Sequence, residues 1–134
     1  MTPSMRILLL ITFAFAFFVG HAPFLFGATP SDVIRDTYRN CNEGEYSRVE
    51  PLLSSDYRKM MHTDSRAVAG GGVKRMCDEA TRRGTLVGVD ILKETIRGEG
   101  ATVVANARFK TGAPAKEVLF LVKENGAWRF SGGE

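Results

Sequence analysis

Few residues in this chain combine a reactive type with a useful spacing. Asp56, Tyr57, His62 and Asp64 fall within nine consecutive positions and bring together carboxylates, a phenol and an imidazole, the groups that move protons at carbon. Such chemistry needs a base held by an orienting partner, in surroundings that shift its pKa toward the working pH. No spacing here pairs a base with an orienter, so a solvated helix end and loop is the stronger reading. Asp56, Tyr57 and His62, with Phe109, remain the candidates for lining a pocket. Cys41, Cys77 and His62 lack the spacing of a zinc site, so no metal and no cofactor is expected. Gly70, Gly71 and Gly72 ahead of Lys74 could cradle an anion on backbone N–H groups at a helix start. Without the phosphate-loop pattern they read as a linker. Trp128 and Phe130, two apart on a strand, are packing or interface residues rather than a stacking platform.

The two cysteines both follow the apolar N-terminus, and an even count in an exported chain points to a disulfide. Cys41 to Cys77 would close a loop of 37 residues, counting both ends, which the chain-entropy argument values at about 4 kcal/mol. The alternative is a pair of reduced, buried thiols.

Export itself is read from the start of the chain. Arg6 precedes Ile7 to Val19, an uncharged run made almost wholly of Ile, Leu, Phe, Ala and Val, and Gly20 and Pro23 end it. Residues 1–28 have this layout of a secretory signal peptide, with Ala22, Gly27 and Ala28 as small residues near which cleavage can fall. Left uncleaved, the uncharged stretch Ile7 to Ala28 is long enough to anchor the protein in a membrane. The expected location is the periplasm or the outside of the cell.

From Thr29 there are 106 residues, one domain's worth. Setting Arg6 aside from the 18 basic residues leaves 17 against 15 acidic, a net charge of +2. The signs are interspersed along the chain, and the basic residues do not cluster on one face or interleave with aromatics, which argues against nucleic acid as a partner.

The elements that must position these residues follow from hydrophobic rhythm. Thr29, Pro30 and Asp32 make an N-cap, a first-turn proline and an acid at the positive helix end, and Ile34, Tyr38 and Cys41 form one apolar stripe. Val49, Leu52, Leu53, Tyr57, Met60 and Met61 keep helical spacing, but Pro51 predicts two short pieces. Val73, Met76, Cys77 and Ala80 stripe a third helix, from about Val73 to Arg83. After Gly84 the period becomes two, over strands near Thr85–Thr95, Ala101–Lys110, Lys116–Glu124 and Ala127–Ser131. Asn125-Gly126 is a two-residue hairpin signal that pairs Glu124 with Ala127, Lys123 with Trp128, Val122 with Arg129 and Leu121 with Phe130. Val118, Phe120 and Val122 therefore share one face, and Leu119, Leu121, Trp128 and Phe130 share the other. Helices can cover only one of them. Assigning Leu119, Leu121, Trp128 and Phe130 to the uncovered face predicts a homodimer through the sheet's outer side.

The start Thr29-Pro30-Ser31-Asp32-Val33-Ile34, the break and restart Asn42-Glu43-Gly44-Glu45-Tyr46 and the hairpin Leu121 to Arg129 resemble small bacterial exported proteins of the nuclear-transport-factor-2-like (NTF2-like), cystatin-like superfamily. The resemblance covers nearly all of residues 29–134. It implies an α+β domain, with N-terminal helices packed on a curved four-stranded antiparallel sheet that forms a cone. It also implies a pocket inside the cone and dimerisation through the sheet's outer face. Members include isomerases, dehydratases, cyclases and non-enzymatic accessory domains. The expected role is an exported, non-enzymatic domain that binds a protein partner or a small apolar ligand. The rival is an isomerase or cyclase acting through Asp56, Tyr57 or His62. A protease inhibitor of the cystatin type would need a Gln-x-Val-x-Gly wedge that is missing. An open cone with a buried carboxylate would favour the enzyme, and one filled by Met60, Met76 and Phe109 would oppose it.

Overall fold

The structure is a computed structural model that describes residues 27–63 and 72–134. The leader up to residue 26, together with Asp64, Gly70 and Gly71, lies outside the described residues. Helix α1 spans Pro30–Asn42 and opens on a capping box: the Asp32 amide donates to Thr29 Oγ1 at 3.2 Å, and the Thr29 amide donates to Asp32 Oδ2 at 3.0 Å. Those bonds hold the Asp32 carboxyl below its ordinary pKa. Val33, Ile34, Thr37 and Cys41 form the buried stripe, with Tyr38 half-buried beside them.

The next stretch breaks into more pieces than the proline alone predicts. Helix α2 is Tyr46–Val49, a 3-10 turn covers Glu50–Leu52, α3 is Ser55–Thr63 and α4 is Gly72–Ala80. Pro51 sits in the first turn of the 3-10 segment, where its missing N–H costs nothing. The real interruption is at Leu53, which is extended and bridges Phe130 in parallel, while the Ser54 amide donates to the Phe130 carbonyl at 2.8 Å. A two-residue stub thus covers part of the last strand's open edge.

The strands are β1 Leu86–Arg97, β2 Gly100–Phe109, β3 Ala115–Glu124 and β4 Ala127–Gly133, all antiparallel and in chain order. Asn125 and Gly126 both have positive φ, 51° and 78°, as the predicted two-residue turn requires, and all four hairpin pairs read from the sequence are formed. On the opposite edge, β1 has two register shifts around Val87 and Leu92, whose side chains are exposed. Bulges on an edge strand hinder pairing with another chain.

The helices cover the face that carries Ala101, Val103, Ala105, Leu119, Leu121, Trp128 and Phe130. This corrects the sequence-based choice of interface: Leu119, Leu121, Trp128 and Phe130 are core residues, and Val104, Val118, Phe120 and Val122 look outward. Both faces of β3 are apolar, so the alternation separates them without saying which one the helices meet. Ala101, Val103 and Ala105 of β2 pair with this set or lie beside it in register, and small side chains there let α1 approach the sheet. Cys41 and Cys77 form a disulfide between α1 and α4, with Cα atoms 4.8 Å apart.

Two sheet carboxylates fasten helix starts. Glu94 accepts from the Ser31 amide and hydroxyl at 3.0 and 2.8 Å, and Glu124 accepts from the Ser55 amide and hydroxyl at 2.8 and 2.6 Å. Each places negative charge against the unpaired N–H groups of a first turn. Arg129 adds a hydrogen bond to the Pro51 carbonyl, tying β4 to the 3-10 segment. Among the described residues no helix is long and apolar enough to cross a membrane.

Candidate functional site

The cone's interior is a packed core. Ile34, Thr37, Tyr38, Cys41, Met76, Ala80, Leu119 and Phe130 enclose about 50 Å³, where a small-molecule site takes about 300–1,000 Å³. Met76 and the disulfide fill the space, but Met60 is 55% exposed and Phe109 belongs to a separate cluster with Leu86, Ala107 and Ala115. Among the described residues the buried polar ones are Ser31, Thr37, Asn40 and Ser54, with no carboxylate among them. Tyr38 at the mouth has its phenol pushed up to about 12, by burial first and by the nearby Glu117 charge second. It therefore stays protonated at neutral pH and offers no base.

The sequence's pocket candidates do not converge. Asp56 is exposed in the first turn of α3, whereas its neighbour Tyr57 turns inward and meets Phe130 edge to face at 5.2 Å, with burial raising its phenol pKa. His62 is exposed in the last turn, its Nε2 3.5 Å from Glu50 Oε1. Phe109 lies in the other cluster. Tyr57 does line a groove of about 260 Å³ between α3 and α4, together with Met60, Met61, Met76 and the carboxylate of Glu79, but Glu79 is exposed and pairs with Arg82 at 3.7 Å rather than being held as a base. Among the described residues no group of three or more His, Cys, Asp or Glu could hold a metal ion.

A groove of about 530 Å³ lies on the sheet's other face. Its outward side chains are Lys93, Thr95 and Arg97 of β1, Thr102 and Val104 of β2, Phe120 and Val122 of β3, and Ser131 of β4. Pairing explains the arrangement: Thr95 is opposite Thr102, Thr102 opposite Phe120 and Lys93 opposite Val104, so all lie on one face. The apolar floor is only half-buried, and the two cations at its β1 border are exposed. Sequence reasoning recognised the Val118, Phe120 and Val122 stripe but placed it under the helices. What hid the groove was the β2–β3 register, set across an irregular loop and not by a two-residue turn.

Helices laid over one face of a curved four-stranded antiparallel sheet, with α1 along its concavity, are the NTF2-like fold. A solved Campylobacter jejuni protein described as an NTF2-like transpeptidase is similar over 78% of this chain and 98% of its own, at 19% identity and a TM-score of 0.57. A SEC-C motif-containing protein from Rhodopseudomonas palustris is similar over 79% of this chain and 77% of its own, at 18% identity and a TM-score of 0.59. At such identities the likeness is one of fold. The chain belongs to the family described as a domain of unknown function, DUF4878, whose model matches residues 24–131. No curated protein matches the sequence.

Proposed function

We propose that this protein is an exported, non-catalytic binding domain that holds its partner or ligand on the outer face of the sheet. The observation that carries the reading is the contrast between the two faces. The inner one is closed down to about 50 Å³, with no buried carboxylate among the described residues, and the outer one opens a groove of about 530 Å³ over half-buried Val104, Phe120 and Val122. Apolar surface arranged in a concavity with a few polar groups is the common form of a binding site. The leader-like residues 1–28 and the Cys41–Cys77 disulfide support export, because disulfides persist in oxidising compartments.

A photo-crosslinking amino acid at position 104, compared with the same probe at exposed Arg82, tests this in the producing cell. Adducts at position 104 and none at position 82, read by intact mass, are the expected result. A doubled mass would identify a second copy as the partner. Equal labelling at both positions, or none at 104, refutes the reading.

A further inference from the structure

Lys93 and Arg97 stand on the same face of β1, with Thr95 between them, and neither has an ion-pair or hydrogen-bond partner among the described residues. The sheet's acids are engaged elsewhere. Asp90 pairs with Arg108 at 2.6 Å, Glu94 and Glu124 hold Ser31 and Ser55, and Glu117 lies by Tyr38. The groove thus presents two unmatched positive charges at one end of an apolar floor, and among the described residues no acid lines it. A second copy laid face to face offers these cations no acid, because none is among the described residues that line its own groove. An extended peptide is also a poor fit. The floor's backbone groups are used within the four-stranded ladder, so amides laid on it would lose water without gaining partners. A hydrocarbon chain loses nothing there.

Resting on the outer-face reading above, we propose that the groove binds a medium-chain fatty acid. The carboxylate sits between Lys93 and Arg97, and the acyl chain crosses Thr102, Val104, Phe120 and Val122 toward Ser131. The crossing from β1 to β4 covers three interstrand spacings, about 14 Å, a distance that an extended medium-length chain spans.

The test is titration of the purified protein with sodium dodecanoate below its micelle concentration, followed by calorimetry and by amide NMR shifts. Saturable one-to-one binding is expected, with the largest shifts at Thr95, Thr102, Val104, Phe120 and Val122. Dodecanol should bind about tenfold more weakly, as should dodecanoate to the Lys93→Ala/Arg97→Ala variant, since two exposed charge contacts are lost. Both side chains are exposed, so that variant keeps its fold, and a Lys93→Arg/Arg97→Lys variant should keep its affinity. No saturable binding, equal affinity for dodecanol, unchanged affinity in the alanine variant, or shifts confined to Tyr38 and Met76 would each overturn the proposal. If dodecanoate fails while the probe at position 104 still captures a partner, an acidic peptide included, the fatty-acid assignment falls and the outer-face reading stands. If both fail, both fall.

Discussion

Leu121 and Phe120 are adjacent on β3 and point to opposite faces, which makes them a matched test of the face assignment. Leu121 is 1% exposed within the core that α1 and the disulfide complete, so Leu121→Ala removes four buried carbons' worth of contacts less one and leaves a cavity. Leucine truncations at such sites cost about 2–5 kcal/mol, and a position this enclosed belongs near 3 kcal/mol. Phe120 is only half-buried and flanks an open groove. Its ring recovers part of the roughly 1.5–3 kcal/mol of full burial, so Phe120→Ala should cost about 1 kcal/mol. In a domain of this size each kcal/mol shifts Tm by about 4–8 °C, which separates the two variants by roughly 8–16 °C. Urea and thermal unfolding followed by circular dichroism, at two protein concentrations differing tenfold, would read the difference. A Phe120→Ala cost equal to that of Leu121→Ala, undiminished on dilution, would mean that the faces are assigned wrongly. An equal cost that vanishes on dilution would mean that a second copy covers Phe120, contrary to the charge argument.

Replacing both Cys41 and Cys77 by alanine should lower stability by about 4 kcal/mol and raise the urea m-value, because the cross-link keeps a 37-residue loop of the unfolded chain compact; unchanged stability would show that the bond constrains nothing. Alkylation without reductant should add no label, and reduction under denaturing conditions should add two. Glu124 has a lowered pKa, chiefly through the Ser55 hydroxyl and then the Ser55 amide, so its contribution is present at neutral pH and is lost as pH falls below the ordinary carboxylate value of about 4.3. Glu124→Gln should flatten that part of the pH–stability curve, and an identical acid limb in the variant would contradict the assignment. Tyr38, raised to about 12, stays neutral when folded while its unfolded counterpart ionises near 10, so stability should fall from about pH 10 to about 12, and Tyr38→Phe should lessen that fall.

The elements that short-range rules govern were legible in the residues. Thr29, Pro30 and Asp32 carry their cap in their own side chains, and Asn125-Gly126 allows little other than a tight hairpin, so α1 and the β3–β4 register could be read directly. Periodicity placed Cys41 and Cys77 on buried stripes, but only the packing of α1 against α4 brings their Cα atoms to 4.8 Å. Where chemistry was sought in a local cluster, Asp56 and Tyr57 proved to share a helix and not a site, because neighbours on a helix diverge by about 100°.

Sequence alone determined that a helical front is followed by alternating strands, since the change of hydrophobic period near Gly84 is a property of the chain itself. It also determined which side chains of β3 and β4 travel together. Which set the helices would bury was decided only in three dimensions, because Leu119 and Leu121 are as apolar as Val118, Phe120 and Val122. The buried set joins Ala101, Val103 and Ala105 of the paired strand in one core with Val33, Ile34 and Cys41 of α1, a long-range fit that no local pattern encodes. The closed cone and the open groove with its two cations are consequences of that one packing decision.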